Sequence, residues 1–310
     1  MDPLECLLLP WDTSLCLVRE FNRLGHETYL FTPSSVFSIA GEVYGRGALL
    51  TPKGRDRYLK GLQKKWNLAD FEVVWIRKDP PFDATYLSLT YLLEPLAKKT
   101  VVINHPQGIR NANEKIFGLR WLKESPLTLI SSHVDEIFLF KKKTQSDLVI
   151  KPFYEKGGKG VFLLQGKNRK KGAWALLRKA TQEEKEPVIA QKFIPVPRGK
   201  GDKRILLWKG KILGAFERIP PAGDFRSNLS LGGRFDSCSI TLQEKKIVKK
   251  LAPALIEEGL FFVGIDVRMG FLIEINVTSP AGLVELDQLY GGVTAKLARV
   301  CIPNAQGRLP

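Results

Sequence analysis

Two carboxylates and an amide stand close together late in the chain, in Gly264-Ile265-Asp266 and in Glu274-Ile275-Asn276. Glu274 and Asn276 are two residues apart, so on a strand they point to one face. A hairpin turning about Met269 sets Asp266 opposite Leu272 and Gly264 opposite Glu274. All three polar groups then share that face, and another turn register would part them. Oxygen donors on an otherwise apolar strand pair suit Mg²⁺, a hard cation that bridges phosphates. A hairpin with its polar face in water has the same pattern.

A second segment joins a lysine to glycines. Lys151 closes the apolar run Val149-Ile150 and is followed by Lys156-Gly157-Gly158-Lys159-Gly160. Such a loop can wrap phosphates with backbone N–H groups. It is not the G-x-x-x-x-G-K-[ST] loop, no helix follows it directly, and a surface hairpin fits it equally well. Arginines flank further turns, in Gly201-Asp202-Lys203-Arg204, Arg218-Ile219-Pro220-Pro221 and Arg226-Ser227-Asn228. They can grip carboxylates or phosphates bidentately, or simply be solvated. Arg77-Lys78-Asp79-Pro80-Pro81-Phe82-Asp83 follows a strand, where open α/β sheets bind ligands; an ordinary turn is the other reading. Lys115 is expected on a first helical turn, within reach of a phosphate, whereas His105, beside Pro106, is read as structural. No Ser-His-Asp or Cys-His arrangement is evident, so the chemistry expected is electrostatics and positioning, as in phosphoryl transfer.

The elements that must hold these residues come in two styles. Up to residue 112 the spacing predicts a helix over 14–24, closed by Gly25, and strands over 27–31, 71–76 and 101–103. Strands alternating with helices predict a mostly parallel α/β sheet. Such a unit opens with a strand, but only about eight residues stand ahead of this helix. An in-frame upstream extension of about seven apolar residues is therefore expected, failing which residues 4–9 must supply the strand. From Asn113, as N-cap, a helix is expected over 113–122. Strands follow over 128–130, 148–150 and 161–164, then a helix over 174–180 and strands over 188–193, 205–208 and 212–218. Lys209-Gly210-Lys211 makes a tight hairpin, and a helix over 243–258 precedes the hairpin of 261–267 and 271–277. This second part is α+β in character.

Composition narrows the classes. A chain of 310 residues, 44% hydrophobic and 26% charged, is an ordinary globular protein of two or three packed units. Its 48 basic and 32 acidic residues leave a net charge of +16, an excess that can mark a nucleic-acid binder. The excess sits in short runs at 141–143, 167–171 and 245–250, which read as solvated faces, and no nucleic-acid module is present. No apolar run approaches the ~20 residues that span a bilayer, and residues 7–9 lack a basic leader, so the cytoplasm is expected. Cys6, Cys16, Cys238 and Cys301 are scattered, as are His26, His105 and His133, which argues against a zinc site or a disulfide framework.

Taken in order, these segments resemble bacterial glutathione synthetase, a member of the ATP-grasp superfamily. The likeness rests on RKDPPFD from Arg77, RNANEKIF from Arg110, KPFYEKGGKGVF from Lys151, GDKR from Gly201, RIPPAGDFRSNLSLGG from Arg218 and GIDVRMGFLIEINVTSP from Gly264. It spans about Trp11 to Gly291. The resemblance implies an N-terminal α/β (preATP-grasp, Rossmann-like) substrate domain over 1–112. A two-part ATP-grasp domain would follow, its lid over 113–190 and its large part over 191–310. It implies ATP-dependent ligation of γ-glutamylcysteine and glycine through an acyl phosphate, giving glutathione, ADP and phosphate, with Mg²⁺ or Mn²⁺. Carried over, Lys115, Lys151, Gln191, Lys192, Phe193, Ile194 and Asp202 bind the nucleotide, and Gly157, Gly158 and Gly160 cover its phosphates. Asp266, Glu274 and Asn276 hold the metal. Arg204, Arg218 and Asn228 orient the acyl phosphate, and Arg77 and Arg226 the dipeptide's carboxylates. No nucleic acid or membrane partner is implied, and a homo-oligomer is allowed. The chain departs from the family pattern at Tyr154-Glu155-Lys156, at Phe235-Asp236 and in its short N-terminus. Another ATP-grasp amino-acid or peptide ligase, or a basic nucleic-acid-binding protein, are the alternatives.

Overall fold

The computed structural model describes every residue except 8, 10, 55, 56, 122, 154, 156, 167–170 and 304–310, and the side chain of Lys171 also lies outside the description. Part of the lysine run at 167–171, and Tyr154 and Lys156 of the glycine loop, therefore lie outside the described residues.

Helix α1 (Thr13–Arg23) starts where the Asp12 carboxylate accepts from Leu15 N, and it buries Leu15, Leu17 and Val18. Five strands follow: β1 (Tyr29–Leu30), β2 (Val36–Ile39), β3 (Glu42–Pro52), β4 (Tyr58–Lys60) and β5 (Lys64–Asn67). All four of the others pair with β3, and every pairing is antiparallel. The parallel sheet expected from the sequence is confined to β6 (Val73–Trp75) and β7 (Val101–Ile103). Phe31 explains why β3 carried no apolar alternation. A Cβ on Gly45 or Gly47 would come within 2.5 or 2.3 Å of its ring, so the positions beneath it are glycines. Leu4–Cys6 form a 3₁₀ turn and not a strand. The Met1 amine donates to Phe31 O at 2.8 Å, beside an apolar cavity of about 230 Å³ between β1, β6 and α1. Burial lowers that amine's pKa to about 6.

Helix α2 (Ala84–Leu93) is apolar on nearly every side, so it shows no stripe in the sequence; Asp83 caps it by accepting from Tyr86 N. The helix expected over 113–122 is displaced. Helix α3 (Pro106–Asn111) lies ahead of it, with Pro106 at its first position and the His105 ring nitrogen accepting from Gln107 N. Asn113 instead closes a turn by accepting from Lys115 N at 3.1 Å, and only a short 3₁₀ helix, Phe117–Arg120, follows.

Two antiparallel sheets make up the rest. The lid sheet contains β8 (Thr128–Ser131), β9 (Leu148–Pro152), β10 (Phe162–Leu164) and β11 (Val188–Lys192), in the order β10-β9-β11-β8. Helices α4 (Val134–Thr144) and α5 (Lys171–Ala180) accompany it. Its core of Val134, Ile137, Leu148, Ile150, Leu177 and Val188 is separate from the others. The palm sheet contains β12 (Asp202–Trp208), β13 (Lys211–Ile219), β14 (Arg234–Ser237), β15 (Phe262–Arg268) and β16 (Phe271–Asn276), in the order β14-β13-β12-β15-β16. Helix α6 (Leu242–Glu257), opened by a Thr241–Glu244 capping box, packs Ile247, Val248 and Leu251 into a core shared with Leu89 and Val102 of the N-terminal region. Helices α7 (Leu283–Tyr290) and α8 (Val293–Val300) close the chain over α1 and β13.

Candidate active site

The lid and palm sheets face each other across a cavity of about 730 Å³. Every site residue named from the sequence lines it except Arg77 and Gly160.

On the palm, Asp266 pairs with Glu274 and Gly264 with Asn276 across the β15–β16 hairpin, with a bulge between Asp266 and Val267. The register expected from a turn about Met269 is thus moved by two residues. A shift of two keeps every side chain on its face, so Asp266, Glu274 and Asn276 still converge. Asp266 is held by Arg204, whose Nε and Nη2 donate to its two oxygens at 2.6 and 3.1 Å, and by Arg218 Nη2 at 3.0 Å. Burial alone would raise the Asp266 pKa; the two guanidiniums outweigh it and hold the carboxyl at about 2. Arg218 also donates to Asp202 at 2.7 Å, and against the opposing effect of burial these two aspartates raise its pKa. Among the described residues no guanidinium pairs with Glu274. Burial raises its pKa, with Lys151 and Lys115 pulling the other way.

The lid supplies cations and backbone. Lys151, 7% exposed, ends β9 and donates to Gln191 Oε1 at 2.9 Å; Gln191 in turn donates to Thr128 Oγ1 at 3.1 Å. Burial lowers the lysine's pKa. Lys115 reaches under the glycine loop and donates to the carbonyls of Pro152, at 2.8 Å, and Glu155. Its pKa is also lowered by burial. Gly157, Gly158 and Gly160 all have positive φ, and a Cβ on Gly158 would lie 2.5 Å from Asn228 Nδ2. The left-handed backbone at Gly158, φ 77°, favours glycine there, and any side chain would also have to displace the Asn228 amide. Arg226 spans them, donating to Gly158 O at 3.2 Å and to Asp224.

An aromatic slot closes one end of the cavity. Phe193 meets Phe225 edge to face at 5.9 Å, and the Arg268 guanidinium lies 5.3 Å from the centre of the Phe193 ring. Arg268 also donates to Ile194 O at 2.7 Å and Phe225 O at 3.1 Å. The sequence reading missed this residue as a wall of the site, because an arginine next to a hairpin turn carries no pattern that separates it from a solvated one. Arg77, 7% exposed, lies behind the opposite wall, donating to Ser14 Oγ at 2.9 Å and Pro280 O at 3.0 Å.

Residues 1–110 match the N-terminal domain of prokaryotic glutathione synthetase, and residues 114–291 match its ATP-grasp domain. The chain belongs to the prokaryotic glutathione synthetase family. The glutathione synthetase of Parasynechococcus marenigrum (strain WH8102) is 40% identical over 291 residues, covering 93% of this chain and 92% of that protein. That of Bradyrhizobium diazoefficiens is 39% identical over 300 residues, covering 96% and 94%. Among solved structures, the ATP-grasp ligase PsnB, complexed with minimal precursor, Mg and ADP, superposes with a TM-score of 0.62 at 16% identity, over 95% of this chain and 94% of that one. An ATP-grasp RimK domain protein from Sphaerobacter thermophilus gives 0.61 at 16% identity, over 92% and 93%. These structural likenesses show the ATP-grasp fold. The enzyme is an ATP-dependent carboxylate–amine ligase, of a family that uses ATP and a divalent metal. Among the described residues no helix is long and apolar enough to cross a membrane.

Proposed function

We propose that the enzyme joins γ-glutamylcysteine to glycine, converting ATP to ADP and phosphate, in the cavity between lid and palm. The observation that carries this reading is the opposition across one cavity of Asp266, Glu274 and Asn276 on β15–β16 and Lys151, Lys115 and the glycine loop on the lid. An oxygen-only donor set of two carboxylates and an amide fits Mg²⁺, with Mn²⁺ as substitute. Bound there, the cation would neutralise charge on the β- and γ-phosphates.

Adenine takes the slot of Phe193 and Ile194, with Gln191 and Lys192 on the strand that leads into it and Asp202 near the ribose. Lys151 and Lys115 meet the phosphates, and the N–H groups of 157–160 close over them. An oxygen of the cysteinyl carboxylate attacks the γ-phosphorus, and the bond to the ADP oxygen breaks. The glycine amine then attacks the acyl carbon; the C–N bond forms, phosphate leaves with the former carboxylate oxygen, and the amine gives up a proton. Arg204, Arg218 and Asn228 face the oxygens that gain charge in both steps. Arg226 faces the cavity and serves the dipeptide's carboxylates directly, whereas Arg77 serves them from behind by fixing the Pro280 carbonyl. The four cysteines are free, which suits the reducing cytoplasm.

The test is phosphate release from ATP and Mg²⁺, with γ-glutamylcysteine and glycine each omitted in turn. Release that needs both, with a tripeptide product, is expected. Equal release with another acceptor amine in place of glycine would move the enzyme to another ATP-grasp ligase.

A further inference from the structure

Strand β16 is the last strand of the palm sheet, and among the described residues its outer edge has no partner strand. Its N–H groups are nevertheless taken. Leu272 N donates to Glu124 O at 2.7 Å and Ile275 N to Glu114 O at 2.9 Å. Beyond the strand's end, Glu114 Oε1 accepts from Val277 N at 2.8 Å, Thr278 N at 3.0 Å and Thr278 Oγ1 at 2.8 Å. Glu114 thus replaces a neighbouring strand, with its carbonyl on one side of Asn276 and its carboxylate on the other. Just past β7, the Asn104 side chain donates to Val277 O at 2.8 Å, so Val277 is gripped at both its N–H and its carbonyl. The next residue, Lys115, is tied to the lid.

We propose that Glu114 is a positioning residue: it fixes the chain on either side of Asn276, and so sets where that amide and the neighbouring Glu274 stand relative to the Lys115 ammonium. The inference rests on the metal and nucleotide roles proposed above for these three side chains. One carboxylate oxygen accepting three donors is a charge-assisted set that a loop residue does not acquire by chance packing. Without it, the backbone N–H groups of buried Val277 and of Thr278, which lines the cavity, lose their acceptor and the hold on this segment is weakened. Groups that orient metal ligands in this way typically change metal affinity or activity by about 10–100-fold when removed.

Glu114→Ala and Glu114→Gln test this, because Gln keeps an Oε1 acceptor for the same three donors. Two readouts are used. The first is amide hydrogen exchange of the free enzyme, which needs no assumption about substrates. Glu114→Ala is expected to speed exchange at Val277 and Thr278 by about tenfold or more, leave β15 unchanged, and be largely reversed by Gln. The second is the Mg²⁺ dependence of turnover. Glu114→Ala is expected to raise the half-saturating Mg²⁺ concentration by about tenfold or more, with the KM for glycine unchanged and with rescue by Gln. Unchanged exchange at 277 and 278 in the alanine variant overturns the clasp. Faster exchange with an unchanged Mg²⁺ dependence reduces it to a purely structural contact and overturns the positioning role. Failure of the proposed function itself shows separately, as wild-type enzyme that releases no phosphate with both substrates present.

Discussion

The lid and the palm are both antiparallel sheets of similar size, and they hold Lys151 and Asp266, their central charges at the cavity, in different ways. In the palm, Arg204 and Arg218 clasp Asp266, and Arg218 also holds Asp202, while Arg268 rests on the carbonyls of Ile194 and Phe225. On the lid side the two cations at the cavity rest on neutral acceptors, Lys151 on a glutamine side chain and Lys115 on backbone carbonyls; away from it the lid has ion pairs of its own, such as Lys141 with Asp147. The cores differ likewise. The palm's core runs on into the N-terminal region, whereas the lid keeps a core of its own. A self-compensated ion network keeps its geometry before any ligand arrives; cations on neutral partners remain available to an incoming polyanion. The contrast predicts a palm that stays rigid and a lid that rearranges.

Four experiments can break or sharpen that contrast. The largest effect is expected in the palm. Arg218→Met leaves Asp202 and Asp266 short of a buried cation and should cost about 3–5 kcal/mol in urea unfolding. Lys151→Met, by contrast, should lose nucleotide affinity while its stability holds or rises, since burial already disfavours the charged lysine. Equal destabilisation by both variants would erase the distinction. Next, Glu274→Gln should cut turnover by about a hundredfold or more, through loss of a metal-binding charge. Its melting temperature should not fall, because burial holds the Glu274 pKa above the usual carboxylate range. Near-normal turnover in this variant would remove the residue from the metal set. Smaller still is the change expected in proteolysis. Trypsin cleavage after Lys159 should slow by about threefold or more when ATP and Mg²⁺ are added, as nucleotide orders the loop; an unaltered rate would count against a moving lid. The smallest effect concerns Cys238, which follows β14 of the palm and whose thiol burial pushes up to about 11. Its alkylation should be slow at pH 8, rise about tenfold per pH unit toward 10 as thiolate forms, and ignore nucleotide. A nucleotide-dependent rate would show that the palm moves too.

The sequence read the palm more fully than the N-terminal region, for identifiable reasons. Strands β12, β13, β15 and β16 are long, apolar and joined by tight turns, so their pattern survives in the residues themselves. The register at Asp266 and Glu274 differed by two residues: one because the turn is the two-residue Met269-Gly270, with Arg268 paired to Phe271, and one from the bulge after Asp266, which has no local signature; parity alone kept the face correct. Strand β3 was invisible because Phe31 supplies, from another segment, the apolar surface that Gly45 and Gly47 lack. The helix expected over 113–122 failed because Asn113 can cap a helix or close a turn equally well, and the acceptors that Glu114 offers to β16 settle the choice. Arg77 and Arg226 are both arginines in charged loops, yet one faces the cavity and the other stands behind its wall. Only the tertiary placement of Pro280 distinguishes them.

The guanidinium of Arg226 links Asp224 to Gly158 O, and this has a consequence for leakage. For either loop to lift alone, the bond from Arg226 to Gly158 O must break. An acyl phosphate is a mixed anhydride that water attacks readily, so any interval in which one loop lifts while the other stays shut would spend ATP without forming a peptide bond. On the function proposed above, this shared contact would couple closure of the nucleotide side to closure of the acceptor side. The reactive intermediate then meets either its amine or nothing.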